Sequence, residues 1–248
     1  MGLRSFIALD IETTGADPST DRIIEIGAIR YEDGQEVDVI SQLIDPRQAI
    51  PLRIQNLTGI LPDMVKGKPT FGQIAARLSE LVGDLPIVAH NAMFDNGFLQ
   101  AAMAREGRTF ANPVYDTVEF SRIALPRAKN HRLATLVEHL NIRLERHHRA
   151  EDDARACGQV FLALLQEIRQ MDVGLLRFIL NLGEPANWTL TPIFRTELEH
   201  REAIGEKAKP LMQWVRPFEG QLHQPEQDAP EGEPFSVNPE LVLEVLGP

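Results

Sequence analysis

Acidic side chains recur in this sequence beside segments that are otherwise apolar. Asp10 and Glu12 lie two residues apart at the end of the apolar run 6–11, Phe-Ile-Ala-Leu-Asp-Ile. Because side chains two apart in a strand share a face, both carboxylates would point the same way. Two like charges a few ångströms apart beside a core are costly unless a cation lies between them. The pair therefore predicts a cation-binding position.

Two further acids stand near the start of expected helices. Asp95 lies in the first turn of a helix expected over 92–105, directly after a short apolar strand. Asp153 lies near the start of a helix expected over 149–170, at the border of its apolar stripe, whereas Asp152 falls on a polar face. The helix dipole alone can explain an acid in a first turn. A partly desolvated carboxylate also needs a partner, which favours Asp153 over Asp152 as a functional residue.

Alternating strand-like and helix-like segments must position these acids. Short apolar runs, two of them joined across Asp33-Gly34, predict strands at 6–11, 23–31, 37–44 and 86–89. Apolar periodicity predicts helices over 70–83, 92–105, 116–125, 131–140 and 149–170. Three early strands followed by strands that alternate with helices predict an α/β fold, a mixed sheet flanked by helices.

Composition divides the chain into three expected parts. Residues 1–170 carry the alternating pattern, and residues 171–216 contain two further helix-like segments, a small helical extension. Six prolines follow position 216 among Gln, Glu and Gly, so 217–248 is expected to be a proline-rich, acidic linker or tail. The fold prediction is therefore an α/β domain over 1–170 with a partly helical, proline-rich C-terminal extension.

Other features of the composition exclude several classes of protein. The single cysteine, Cys157, excludes a disulfide framework and a cysteine-based zinc site, and fits a reducing cytoplasm. No run of about 18 apolar residues predicts a membrane span. The N-terminus reaches an acidic residue by position 10 and lacks the pattern of a signal peptide.

The net charge of −11 at first argues against a nucleic-acid partner, because phosphate binding depends on Lys and Arg. The charge is unevenly distributed, however. Residues 122–149 hold seven Lys and Arg against two Glu. A solvated surface and a phosphate-facing patch are both compatible with this stretch.

Three short motifs together resemble those of a known family. They are D-I-E-T-T-G at 10–15, H-N-A-M-F-D at 90–95 and H-R-A-E-D-D-A at 148–154. In this order they resemble the DEDDh family of 3′→5′ exonucleases, above all the proofreading exonuclease subunit or domain of bacterial DNA polymerase III. The exonuclease domain fused to some damage-inducible helicases is also similar. Smaller matches fall at Leu57–Ile60, Tyr115–Thr117 and His131–Leu133.

This resemblance implies a fold, a reaction and a set of roles. The fold is ribonuclease H-like, with a mixed five-stranded sheet, and the reaction is hydrolysis from the 3′ end of DNA with two Mg²⁺ or Mn²⁺ ions. Asp10, Glu12 and Asp153 would ligate the first metal, with Asp10 bridging to the second. Asp95 would reach a metal through an intervening water, and His148 would be the general base. The residues expected to line the pocket of the 3′-terminal nucleotide are Thr13, Thr14, Asn91 and Phe94.

The implied substrate is a single-stranded or frayed 3′ end, with a polymerase or helicase as a candidate partner. Several alternatives stay open. A phosphatase of the haloacid dehalogenase type also begins with a strand and Asp-x-Asp-x-Thr, which Asp10–Thr14 matches imperfectly. A nuclease-like module could bind nucleic acid without cutting it. The chain could also be the exonuclease module of a longer nuclease–helicase chain, although no G-x-x-x-x-G-K-[ST] motif of a helicase motor occurs in it.

Overall fold

The computed structural model describes residues 5–142 and 149–208. Its strands are β1 Phe6–Thr13, β2 Ile23–Glu32, β3 Gln35–Leu43, β4 Ile87–Ala89 and β5 Val114–Asp116. Its helices are α1 Leu52–Thr58, α2 Pro62–Val65, α3 Phe71–Val82, α4 Ala92–Arg105, α5 Thr117–Ala124, α6 Leu133–His139, α7 Ala150–Ile168, α8 Val173–Gly183 and α9 Thr191–Ala203. None of these helices is long and apolar enough to cross a membrane.

The five strands form one mixed sheet in the order β3-β2-β1-β4-β5. β1 pairs antiparallel with β2, which pairs antiparallel with β3, whereas β1–β4 and β4–β5 are parallel. The predicted α/β fold, a mixed five-stranded sheet flanked by helices, is thus confirmed. The sequence patterns missed β5, which has three residues, and the short helices α1 and α2.

The central strand β1 contributes to a separate apolar cluster on each face of the sheet. Ile7, Leu9 and Ile11 pack with residues of α3 and α4. Phe6 and Ala8 pack on the opposite face, in a cluster with residues of α7. By the two-residue period of a strand, Asp10 and Glu12 continue the α7 face beyond Ala8. The alternation along β1 therefore directs the two acids toward α7.

The helices that follow α7 are part of the same core. Leu176 and Leu180 of α8 and Phe194 of α9 belong to the apolar cluster that contains Phe6 and residues of α7. The ring of Phe194 lies 5.9 Å from that of Phe120 in an edge-to-face contact. Residues 171–208 are therefore mainly helical and pack on the sheet domain. The functional division at 170 stays a prediction, and the expected tail at 217–248 lies outside the described residues.

We expect the Phe194→Ala variant to lose about 3–5 kcal/mol of unfolding free energy, because it leaves a cavity in this core. Phe194 is 0% exposed, whereas Phe178 of α8 is 60% exposed. Phe178→Ala is therefore a matched control, expected to change stability by less than about 0.5 kcal/mol. Urea unfolding of both full-length variants is the measurement. Equal losses in the two variants would show that α9 is not part of the core.

Candidate active site

β1 supplies two of the expected site residues. Asp10 lies opposite Gly27 of the neighbouring strand β2, and Glu12 lies opposite Glu25. Both acids are partly buried, because they follow the apolar residues of β1 at its C-terminal end. The two carboxylates are thus fixed to the most central strand of the sheet.

The N-terminus of α7 lies directly against β2. A Cβ atom at Gly27 would come within 2.1 Å of the carbonyl oxygen of Ala150, so only glycine permits this approach. The Glu25 side chain, 2% exposed, accepts a hydrogen bond from the Arg149 guanidinium at 2.7 Å. It also accepts one from the backbone N–H of Ala150 at 3.3 Å. Residues of β2 therefore anchor the first turn of the helix that carries Asp153.

These anchors bring three acids together from two elements. One carboxylate oxygen each of Asp10, Glu12 and Asp153 lie within 4.8 Å of one another. At that separation and an effective dielectric constant of about 20, two ionised carboxylates repel each other by about 3–4 kcal/mol. An all-carboxylate set of oxygens suits hard divalent cations. The donor set therefore fits a divalent metal, whose charge would remove the repulsion.

Asp95 lies beside this group but contacts the backbone of β1. It is 4% exposed, and its Oδ1 accepts a hydrogen bond from the N–H of Ile11 at 3.1 Å. Ile11 stands between Asp10 and Glu12 in the chain. Asp95 is therefore tied to the peptide that separates the two β1 acids.

Burial raises the pKa values of the acids at this site. The pKa of Asp10 lies well above its usual range, first because of burial and then because of the charges of Asp95, Asp153 and nearby glutamates. Burial, together with the charges of Asp153 and Glu25, raises the pKa of Glu12 to about 7. Burial raises the pKa of Asp95 to about 8, against the effect of its backbone hydrogen bonds.

Thr13 and Thr14 are both buried, at 6% and 1% exposure. The Thr13 hydroxyl donates to the carbonyl of Gly15 at 2.6 Å. The Thr14 hydroxyl donates to Asp21 and accepts from the N–H of Arg22 and from Gln48. Both side chains thus fix the loop after β1. Their contact with a nucleotide stays a prediction.

The remaining expected residues lie at different places in the structure. Asn91 is exposed and has a left-handed backbone, with φ of 63° and ψ of 49°. Phe94 is partly exposed, and its ring lies 5.0 Å from that of Phe98. Pocket roles for Asn91 and Phe94 stay predictions. His148 and its neighbour His147 lie outside the described residues, so the expected general base is placed by its motif alone.

Sequence reasoning did not identify the contacts that support the site. Glu25 and Arg149 form the ion pair at the start of α7, and Asp116 accepts hydrogen bonds at the start of α4. A signal for Glu25 was present, because it is a lone acid within the apolar run Ile23-Ile24-Glu25-Ile26. A buried carboxylate of that kind needs a partner. Its partner, 124 residues away, could not be identified from the pattern.

Comparisons with known proteins agree with this geometry. Residues 7–161 match the Exonuclease (RNase_T) family. The chain is 41% identical over 169 residues to the PolC-type DNA polymerase III of Clostridium perfringens, covering 68% of this chain and 12% of that protein. It is 35% identical over 210 residues to the 3′-5′ exonuclease DinG of Bacillus subtilis, covering 83% of this chain and 23% of that protein. The chain therefore spans a small part of either relative.

Solved structures show that the fold is shared. Exonuclease X in complex with 5′ overhanging duplex DNA superposes with a TM-score of 0.55 at 23% identity, over 65% of this chain and 91% of that chain. Exonuclease I of E. coli in complex with a dA16 oligonucleotide gives a TM-score of 0.58 at 23% identity, over 67% of this chain and 41% of that chain. The exonuclease-type, ribonuclease H-like fold expected from the motifs is thus confirmed.

The raised pKa values predict how the metal-free protein responds to pH. An unfolded chain loses these carboxyl protons near pH 4, whereas Glu12 and Asp95 keep theirs to about pH 7 and 8. The group therefore destabilises the fold increasingly as pH rises from about 4 to 8. With a chelator at pH 8, we expect Asp10→Asn to melt at least about 2–4 °C above wild type, a gain of about 1 kcal/mol.

At pH 5 this difference should disappear, because the wild-type acids are then largely protonated. Added Mn²⁺ at pH 8 should raise the melting temperature of wild type more than that of Asp10→Asn. Asp63→Asn is the matched control, since Asp63 is exposed and lies on α2. If Asp10→Asn raises the melting temperature equally at pH 5 and pH 8, repulsion among ionised acids is not the cause of the increase.

Proposed function

The chain belongs to the exonuclease family, and we propose that it is a divalent-metal-dependent 3′→5′ exonuclease that removes nucleoside monophosphates from the 3′ end of DNA. The observation that carries this proposal is the meeting of Asp10, Glu12 and Asp153 within 4.8 Å. A binding module would gain nothing from this costly cluster. A phosphatase of the haloacid dehalogenase type would leave Asp95 and its motif H-N-A-M-F-D without a role.

The proposed roles follow from the positions of the side chains. Asp10, Glu12 and Asp153 would hold two divalent cations, Mg²⁺ or Mn²⁺. When bound, such ions neutralise the phosphodiester and stabilise the attacking and leaving oxygens. Asp95, held on the backbone of β1, would act at the same centre through a water molecule. His148 would accept the proton of the attacking water, a role that suits a side chain with an ordinary pKa near 6.5.

A basic surface beside the site supports a nucleic-acid substrate. Arg122, Arg127, Lys129 and Arg132 are all exposed. Among the residues that the structure describes, none of these four forms an ion pair with an acid. The ring of His90, directly after β4, lies 2.9 Å from the hydroxyl of Thr117, the first residue of the helix α5 that also carries Arg122. The basic surface therefore lies beside the end of β4, where a DNA backbone could reach the acids.

The names of the two relatives support a role in DNA metabolism. Their names describe a PolC-type DNA polymerase III and a 3′-5′ exonuclease, and this chain spans only 12% and 23% of their lengths. We propose a single-stranded or frayed DNA 3′ end as the substrate in replication proofreading or repair, and a polymerase or helicase as the partner. With a single buried cysteine, the cytoplasm is the proposed compartment.

A 5′-labelled single strand of DNA incubated with the full chain and Mg²⁺ or Mn²⁺ tests this function. We expect a descending ladder of products, no cleavage in excess chelator, and recovery when metal is restored. Asp153→Asn should lose nearly all activity, because a metal ligand loses its charge. Asp152→Asn is the matched control and should stay within a few-fold of wild type, since Asp152 faces Arg155 at 3.6 Å. Full activity in chelator would contradict the metal mechanism.

The same assay separates the two neighbouring histidines. His148→Ala should lower kcat by roughly 10²–10⁴, the usual range for a positioned general base, and the wild-type rate should fall as pH drops below the His148 pKa. His147→Ala should have little effect, because only His148 has the five-residue spacing to Asp153 of the family motif. Equal losses from the two variants would rule out this assignment of the base. An RNA strand assayed in parallel establishes the preference for DNA.

A further inference from the structure

Asp116 stands at a junction of three elements. It is the last residue of β5 and the N-cap of α5, and its Oδ1 accepts a hydrogen bond from the N–H of Val118 at 2.7 Å. This local contact is an ordinary helix cap, in which a side-chain oxygen satisfies one of the free N–H groups of the first turn.

The same carboxylate also caps a second helix. Oδ1 of Asp116 accepts from the N–H of Asn91 at 3.2 Å, and Oδ2 accepts from the N–H of Ala92 at 3.1 Å. Ala92 is the first residue of α4, and the N-cap residue Asn91 makes no side-chain cap of its own. The left-handed backbone of Asn91 costs roughly 1–2 kcal/mol and needs support from its surroundings. Asp116 supplies that support from a different strand.

The position of Asp95 depends on how α4 begins. Asp95 is the fourth residue of α4, one turn beyond the N–H of Ala92 that Asp116 holds. From there its carboxylate reaches the N–H of Ile11 at 3.1 Å, between the two acids of β1. Two hydrogen-bonded contacts therefore connect Asp116 to the backbone that carries Asp10 and Glu12.

We propose that Asp116 is a positioning residue, which fixes the N-terminus of α4 so that Asp95 reaches the metal centre. This inference rests on the proposed function, in which Asp95 serves that centre. Asp116 is separated from Asp95 by 21 positions in the sequence and touches neither the acids of β1 nor Asp153 by any described hydrogen bond. Its effect would pass through the start of α4.

The helix that carries Asp153 begins in the same way. The side chain of its N-cap residue, Arg149, does not cap the helix. Instead, the carboxylate of Glu25 on β2 accepts a hydrogen bond from the N–H of Ala150. By contrast, α8 carries none of the expected site residues, and its own N-cap residue, Asp172, accepts the N–H of Gly174 at 2.7 Å. A cap supplied by a strand thus accompanies both helices that carry a site acid.

Three substitutions separate a positioning role of Asp116 from simple capping. Asp116→Ser keeps a short hydroxyl that can cap α5 locally but is too short to reach the start of α4. Asp116→Asn keeps the acceptor oxygen for the contacts that Oδ1 makes with Asn91 and Val118, but it places an NH₂ donor against the N–H of Ala92 and so loses the contact with the first residue of α4. Asp172→Ala is the matched control, because it removes a helix cap from α8. Each full-length variant is measured for melting temperature, for Mn²⁺ affinity by titration with the metal alone, and for kcat and KM on a single-stranded oligonucleotide.

We expect Asp116→Ser to weaken Mn²⁺ binding about 10-fold and to lower kcat about 10–100-fold, the usual effect of losing a partner behind the metal ligands. Its KM should change by less than about threefold. Asp116→Asn should lower Mn²⁺ affinity and kcat by less than Asp116→Ser, because it loses the contact with Ala92 and keeps the contact with Asn91. Asp172→Ala should lower the melting temperature and leave Mn²⁺ affinity and kcat within about twofold of wild type.

Two results would overturn the proposal. In the first, Asp116→Ser lowers the melting temperature while Mn²⁺ affinity and kcat keep their wild-type values, which would make Asp116 a structural cap only. In the second, Asp172→Ala weakens Mn²⁺ binding and lowers kcat as much as Asp116→Ser, which would assign the effect to the loss of any helix cap. Failure of the proposed function would look different, because the wild-type chain would then not degrade DNA while the Mn²⁺ titrations still tested Asp116.

Discussion

Repulsion among three partly buried carboxylates is the constraint on which the site depends. Asp10, Glu12 and Asp153 offer oxygens within 4.8 Å of one another. Without a cation, the fold must hold these like charges together or keep them protonated, and burial together with this repulsion raises the pKa values of Asp10 and Glu12. Stability is thus given up locally where the carboxylate oxygens fit a divalent cation. The apolar clusters on both faces of β1 supply the rigidity that makes this possible.

Rigid anchoring of the helix starts is the second requirement. The helices α4 and α7, which carry Asp95 and Asp153, both begin at an end of the sheet. In each, a carboxylate from a strand accepts a hydrogen bond from the first N–H group of the helix. At α7 the absence of a side chain at Gly27 lets the helix approach β2 closely, and the Glu25–Arg149 ion pair adds a charged contact. The acids of the site are therefore attached to the sheet through backbone contacts, which leave little freedom for them to move apart.

Much of this site could be predicted because it follows from local periodicity. The two-residue period of β1 places Asp10 and Glu12 on one face, and the apolar stripe of α7 separates Asp153 from Asp152. The supporting contacts could not be predicted, since they join residues far apart in the chain. Asp95 and Ile11 are 84 positions apart, and Ala150 and Glu25 are 125 apart.

Short elements and packing between segments also escaped the sequence patterns. β5 has three residues, too few for a period to show. The change of composition near 170 suggested a boundary, yet Phe194 of α9 packs in the same cluster as Phe6 of β1. Composition reports what a segment is made of, and it does not report which surface that segment covers.

The central claim is that acids from β1 and α7 form a divalent-metal site. Anomalous diffraction from crystals of the full chain soaked in Mn²⁺ tests this claim most directly. The account predicts an anomalous peak at coordination distance from the carboxylates of Asp10, Glu12 and Asp153. This peak should be absent from crystals of Asp10→Asn that are grown and soaked in the same way. Mn²⁺ bound elsewhere on the protein, with no peak among these three carboxylates, would contradict it.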